Sequence, residues 1–526
     1  MKFKKVHTEA SAFFAAVVLV CLILSGCAST KVPQCFSEQP VVQVPYKNVI
    51  FDYDAAGKTK ITEKEMEEDL EIIRYLLQYG YCGYQEAVSK GFDLDKVIND
   101  IRERSLAEKD FEGKVNSNTF NYICSLVMAE NLPLNDTHLG FSGRSVVSKR
   151  SICYTNIFFE KKGDEYFVCK SDVPEITEGM KYTGNVENLF VYFEQEKKLY
   201  RFAAITKKAV KTVSISLDGE KYYSKIIEKK YPATISAKGG VRVTDKSLYC
   251  SMADCTFNYG NKTYGKAGAK SYEKLLAKAK ENAHDKANII FDLRTNSGGR
   301  YEYCAGLLTS VFFPKAGDLT NDYKELFEKN FSDNTFDVIS PVTMQLWDYG
   351  KSISPEFYEK FYSEAYRNKK DSKSSAMKKY PCWYLEPVDF SYLQISEFPQ
   401  SWFKGDVYVL MDMYTASAAE YFIAMLYELE NPNIRIHLIG ENSHGAVNYV
   451  EVSDFVIPNS NGWIHLPQTY CESKVFKENP NFAGESLGWT PELWTTNDNL
   501  LNSLIQITGD KDLEKALDGL NKKMLQ

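Results

Sequence analysis

The sequence predicts an α/β core joined to an N-terminal helical domain and a β-rich module, and three patterns carry that prediction. Asn288–Leu293 and Val407–Met411 are nearly uniform apolar runs, as strands are when helices cover both faces of their sheet. From Ser247 onward, helical and strand periodicities alternate. Before residue 245 the two periodicities are segregated: helical over 61–145, short and alternating over 150–245.

The chain opens as a targeting segment. Lys2, Lys4 and Lys5 precede the apolar run Phe13–Ile23, which leads directly into Leu24-Ser25-Gly26-Cys27. That run is too short to span a hydrocarbon core of ~30 Å as a permanent helix, so residues 1–26 read as a cleaved signal. Residues 27–60, with Pro33, Pro40 and Pro45, read as a tether. Thr62-Glu63-Lys64-Glu65 is a capping box opening a helix with Met66, Leu70, Ile73 and Leu77 on one face and Gly80 at its end. Over 150–245, Tyr166–Val168, Leu189–Tyr192 and Val213–Ile215 are short strands, and Ile176–Met180 with Leu217–Glu220 is loosely PDZ-like. The core occupies 246–310 and 401–526, with a helix over Ser271–Asn282. Residues 311–400 interrupt it as an insertion, read as a lid or cleft wall with a polar helix near 354–379.

A net charge of −7 with no basic cluster argues against nucleic-acid binding. Of the 12 cysteines, the ten other than Cys21 and Cys27 are scattered without a C-x-x-C pair, which argues against zinc-ribbon or thioredoxin-type chemistry. Beyond the signal the only histidines are His138, His284, His437, His444 and His465, none in a metal-binding motif. No metal or organic cofactor is implied.

Three stretches carry candidate chemistry. Asp292-Leu293-Arg294-Thr295-Asn296-Ser297-Gly298-Gly299 ends a buried strand, and its two glycines permit a tight turn presenting free N–H groups. Ser417, in Tyr414-Thr415-Ala416-Ser417-Ala418-Ala419-Glu420, sits where the second apolar strand turns into a helix. The helix N-terminus and the Ala418 N–H would favour a developing oxyanion there. Taken alone, Ser417 is better explained as an N-cap. Asn135-Asp136-Thr137-His138-Leu139-Gly140 closes the helical domain, and alone His138 would be an ordinary hydrogen-bonded histidine.

Together these stretches resemble the tail-specific (C-terminal processing) protease and tricorn-core family of serine peptidases. Asp-Leu-Arg-x-Asn-x-Gly-Gly followed by Thr-Ala-Ser-Ala-x-Glu looks like its paired signature. Gly440-Glu441-Asn442-Ser443-His444-Gly445 resembles its Gly-Glu-x-Thr-x-Gly turn, and Gly484–Glu492 its closing segment; the order is kept from about 247 to 495. The resemblance implies a crotonase-like ββα-type core, peptide or protein substrates and a serine nucleophile. Leu24–Cys27 likewise resembles the bacterial lipobox, which implies that Cys27 is acylated and tethers the protein to an extracytoplasmic membrane surface of the bacterial cell envelope.

One departure is informative. Processing proteases of this family carry a lysine base directly after the Gly-Glu-x-Thr-x-Gly turn, and this chain has Ala446 there. A serine hydroxyl needs a base. The tricorn-type branch supplies a histidine from the N-terminal part, preceded by a hydroxyl residue that bridges to a glutamate near the C-terminal motif. The resemblance therefore implies Ser417 as nucleophile, His138 as general base, Thr137 and Glu485 as the orienting pair, and backbone N–H groups of Gly298 or Gly299 and Ala418 as the oxyanion hole. His444, inside the turn, is the rival base. Two other functions stay open: a peptide-binding lipoprotein that keeps the fold without turnover, favoured by Ala446, and an esterase, disfavoured because no Gly-x-Ser-x-Gly elbow is present.

Cys27→Ser is expected to release the protein from membranes or stall its processing. Mass spectrometry of the mature protein checks this, since an intact Met1 terminus contradicts it.

Overall fold

A computed structural model describes residues 58–147, 151–206, 210–227, 240–256, 262–315, 317, 320–332, 336–339, 383–385, 398 and 401–517. The expected signal, Cys27 and nearly all of the tether lie outside the described residues, as does the polar helix expected near 354–379. The chain is a mixed α/β protein. Its central sheet has six strands in spatial and chain order: β1 (Gly240–Val243), β2 (Ser247–Ser251), β3 (Asn288–Asp292), β4 (Gly405–Met411), β5 (Ile434–Gly440) and β6 (Leu493–Trp494). Only the β1–β2 pair is antiparallel; the other four pairs are parallel.

Parallel pairing explains the uniform apolar runs. Every residue of β3 is buried, and Val407, Val409, Leu410 and Met411 of β4 are fully so. The helices Lys262–Asn282, Tyr301–Phe312 and Ala418–Tyr427 cover one face, where Phe291 meets Phe312 and Phe422. Leu500, Leu501 and Leu504 of the helix Leu500–Thr508 cover the other, against Tyr249, Ile290 and Leu410.

The helical segment begins as the capping box dictates. Thr62 accepts from the Glu65 N–H, the Glu65 carboxylate accepts from the Thr62 N–H, and Met66, Leu70, Ile73 and Leu77 are completely buried. Its apolar cluster is completed from far along the chain, by Tyr449, Phe455, Ile457, Ile464 and Leu466 of the hairpin Tyr449–Ile457/Gly462–Glu472. Gly140–Phe141 also pairs with Ile464–His465 as a short antiparallel ladder. The β-rich region forms a four-stranded antiparallel sheet in the order Glu165–Lys170, Ser151–Lys162, Lys197–Thr206, Leu189–Glu194, with Thr212–Leu217 and Glu220–Lys225 as a separate hairpin. Within the insertion, Phe336–Ile339 pairs with Thr469–Glu472 and with Trp383–Leu385, so these two short strands extend the hairpin's sheet.

The described cysteines are all free thiols. Among the described residues no helix is long and apolar enough to cross a membrane.

Beneath the carboxyl end of β3 lies a buried ion pair. Arg294 Nε and Nη2 donate to Asp292 Oδ1 at 2.9 Å and Oδ2 at 2.7 Å, with both side chains wholly excluded from water and the Tyr249 hydroxyl also donating to Asp292. Removing one partner strands a buried charge. Arg294→Ala is therefore expected to lower unfolding stability by ~3–5 kcal/mol, measured by chemical denaturation; a change under ~1 kcal/mol, the range of an exposed pair, contradicts it.

Candidate active site

The site is built where β3, β4 and β5 end side by side, because parallel strands deliver their following loops to one edge of the sheet. The loops after β3 and β4 are laced together. Leu293 N–H donates to Leu410 C=O at 2.9 Å, Thr415 Oγ1 to Leu293 C=O at 2.9 Å, and Ala416 N–H to Asn296 C=O at 2.9 Å. Asp412 Oδ1 accepts the N–H groups of Thr295 and Tyr414, each at 3.0 Å.

This lacing presents Ser417 as the N-cap of the helix Ala418–Tyr427 with φ 54° and ψ −121°. A non-glycine residue there carries strain of ~1–3 kcal/mol, which persists only where the surroundings enforce it. The enforcing contact is Gly298 (φ +96°). A Cβ on it would lie 2.6 Å from Ser417 Cβ, 2.8 Å from Ala416 O and 3.0 Å from Ala418 N, so no side chain fits between the two loops. The Gly298 N–H is already used, donating to Asn296 Oδ1 at 2.9 Å. This takes Gly298 out of the expected oxyanion hole. Its C=O accepts from Cys255 N–H at 2.9 Å, and a trans peptide then turns the Gly299 N–H the opposite way, away from Cys255. Gly299 and Ala418, whose N–H opens the helix, remain as donors.

The helix also contributes a residue that motif reading passed over. Glu420 is completely buried, and its carboxylate accepts four bonds: Ser417 N–H at 3.0 Å and Ala446 N–H at 2.7 Å on Oε2, Ser443 Oγ at 2.6 Å and Gly445 N–H at 2.7 Å on Oε1. Burial pushes its carboxyl up to about 7, against these four donors, which favour the ionised form. The signal was available, because Ser417-x-x-Glu420 has capping-box spacing.

The turn held by Glu420 leads to the second half of the site. Gly445 C=O accepts from Thr137 Oγ1 at 3.3 Å, and Thr137 Oγ1 also lies 3.4 Å from Glu485 Oε1. Glu485 Oε2 accepts the N–H groups of Val447 and Asn448, both at 3.0 Å. Thr137 and Glu485, 348 residues apart, are thus brought together. His138 lies beside Glu485, with Asp136 as third member of the group. Burial holds its imidazole down at about 3, and nearby His465 and His444 push the same way, so it stands neutral with a lone pair to accept a proton. His444 donates its backbone N–H to Thr415 C=O at 2.8 Å, so it flanks the same loop. Burial raises Asp136 to about 7 and Glu485 to about 8, Glu485 being raised further by the nearby Asp136.

Residues 257–475 match the model of peptidase family S41. None of the curated proteins matches the chain. Similar solved structures include mature CPAF complexed with lactacystin, at 12% identity and a TM-score of 0.40 over 88% of this chain and 99% of that one. A lipoprotein from Streptococcus agalactiae matches at 10% and 0.33, over 85% and 97%. The photosystem II D1 C-terminal processing protease matches at 11% and 0.28, over 82% and 93%.

The raised carboxyls carry a pH signature. A carboxyl whose folded value lies above its unfolded one holds a proton that the unfolded chain gives up, so stability is lost as pH rises through that window. For Glu485 the window runs from 4.5 to about 8. The melting temperature is expected to fall between pH 5 and pH 8, with a shallower fall in Glu485→Gln. Calorimetry of both proteins across that range checks it; identical slopes contradict it.

Proposed function

Because residues 257–475 belong to peptidase family S41, a family of serine peptidases, we propose that the chain is a working serine peptidase in which Ser417 attacks the scissile carbonyl with His138 as general base. The observation that carries this reading is the strained Ser417, pressed against Gly298 at a helix N-terminus. In the proposed cycle His138 takes the Ser417 hydroxyl proton as Oγ bonds to the carbonyl carbon. The negative charge gathers on the carbonyl oxygen, facing the N–H groups of Gly299 and Ala418. His138 passes its proton to the leaving amine, leaving an acyl-enzyme, and water repeats the sequence to free the acid.

Thr137 and Glu485 orient the imidazole; the 3.4 Å contact between them supports that role. Ala446 is fitted into this arrangement rather than left as a gap. It is buried and gives its N–H to Glu420, so no lysine is needed for the turn to close. We further propose that substrates are exported proteins or peptides, met at a membrane surface to which Cys27 tethers the chain. The insertion 311–400, whose described strands join the hairpin's sheet, would wall the cleft, and the PDZ-like region would help to present substrate.

A fluorophosphonate probe is expected to label the purified protein and to fail on Ser417→Ala. On one peptide substrate, Ser417→Ala and His138→Ala are each expected to lower kcat/KM by ~10³-fold or more, because nucleophile and base act as a unit. Glu485→Gln and Thr137→Val should cost less, since they act through the imidazole. Near-normal turnover in His138→Ala would return the base to His444. Absence of labelling in a folded wild-type protein would favour the peptide-binding lipoprotein.

A further inference from the structure

The group around His138 contains more than the hydrolytic cycle uses. Asp136, His138 and Glu485 each offer one ligand atom, and these atoms all lie within 4.8 Å of one another. Asp136 is wholly buried. Its Oδ1 is occupied by the N–H groups of His138 at 2.8 Å and Leu139 at 3.1 Å, whereas its Oδ2 is buried, makes no well-formed hydrogen bond, and has the Tyr81 hydroxyl beside the carboxylate. His138 Nδ1 is buried and unpartnered. A protein interior rarely leaves a buried imidazole nitrogen unpartnered beside two carboxylates. The proposed proton transfer does not involve Asp136. Tyr81, Glu420, His444, His465 and Tyr449 are the other titratable groups that interact with the cluster's members.

We propose that Asp136, His138 and Glu485 form a binding site for a divalent transition-metal ion, best matched by Zn2+, and that the bound ion withdraws His138 from proton transfer. One imidazole with two carboxylates is a donor set suited to such ions. Three protein ligands leave a fourth, tetrahedral position for water. Ca2+, which takes six to eight oxygens, finds far too few here. Metal–ligand bonds of ~2.0–2.2 Å put tetrahedral donors roughly 3.4 Å apart, so the cluster must close by about an ångström. Glu485 can supply that movement, since its Oε1 is held only by the long contact to Thr137. Burial raises both carboxyls and the nearby Asp136 raises Glu485 further, a crowding that a cation between them would relieve. The inhibitory consequence rests on His138 being the general base; the binding itself does not.

Binding is therefore read without turnover, by titrating Zn2+ into the purified full chain carrying Ser417→Ala, in competition with a chromogenic chelator. One ion per chain is expected. Asp136→Asn, which keeps the acceptor for the His138 and Leu139 N–H groups, and Glu485→Gln should each weaken it by at least the ~10–100-fold that losing an outer-shell partner costs. His465→Gln, altering the neighbouring imidazole that is paired with Asp454, should leave it unchanged. No binding, or binding indifferent to both carboxylate variants, overturns the site. Should either variant melt early, Co2+ in the unsubstituted pocket decides instead. The strong visible absorption of a low-coordinate ion supports the site, and a weak six-coordinate spectrum overturns it. In the active chain, peptide hydrolysis should fall with the same Zn2+ midpoint and recover with EDTA; full activity at saturating Zn2+ overturns the inhibitory half.

Discussion

One buried carboxylate holds the candidate site together. Glu420 reaches from the first turn of the helix that follows Ser417 and collects four donors from two separate segments: the Ser417 backbone, and Ser443, Gly445 and Ala446 of the turn after β5. A carboxylate that accepts two hydrogen bonds on each oxygen has little freedom to rotate, so the Ser417 backbone and that turn are fixed against each other. The turn then passes the constraint outward, because its Gly445 carbonyl accepts from Thr137 and the following Val447 and Asn448 N–H groups donate to Glu485. The Ser443 hydroxyl adds rigidity. It donates to Glu420 and accepts the Trp489 N–H at 2.6 Å, while the Trp489 indole donates to the Glu420 carbonyl at 3.1 Å.

The strain at Ser417 is intelligible only against this frame. A left-handed φ at a serine would relax if either flank were loose. On one side the loop is sewn to the β3 end through Leu293, Asn296 and Thr415; on the other it is held by Glu420 and blocked by Gly298. The two glycines of the β3 loop divide the labour. Gly298 lets the loops approach, and Gly299, whose own Cβ would lie 2.4 Å from Cys255 O, lets the backbone return along β2's extension. The packing beneath is correspondingly rigid, with a wholly buried ion pair at the end of β3.

Much of this was legible in the sequence, for physical reasons that differ by element. The strands β3 and β4 were clear because burial on both faces leaves no polar alternation, and the first helix because its capping box and apolar stripe agree. Ser417 was legible from small neighbours at a strand-to-helix change. Other features were out of reach because they depend on contacts between residues far apart in the chain. Nothing local marks Asp136 as the companion of Glu485, or shows that Gly298 has spent its N–H on Asn296. The helical segment reads as a domain of its own, yet the hairpin 449–472 supplies part of its apolar cluster. Hydrophobic periodicity shows that a face is buried without naming what buries it.

That shared cluster bears on how a peptidase of this kind can work without a lysine beside the turn. The residue proposed as base stands at the end of the helical segment, on a stretch that has no contact with the central sheet through backbone pairing. It is placed by the Gly140–Phe141 ladder to Ile464–His465 and by the Asp136 cap over His138 and Leu139. Ser417 and His138 therefore rest on two different apolar clusters, one under the central sheet and one between the N-terminal helices and the hairpin. The two are joined where Tyr449, at the start of the hairpin, follows directly on the turn that Glu420 and Glu485 hold. A substitution in the helical cluster, far from Ser417, would move the imidazole without disturbing the serine. Since a displacement of about an ångström at a reacting pair can cost ~10²-fold in rate, the proposed pairing of Ser417 with His138 makes packing of the N-terminal helices against Phe455, Ile457 and Ile464 a condition of activity and not of stability alone.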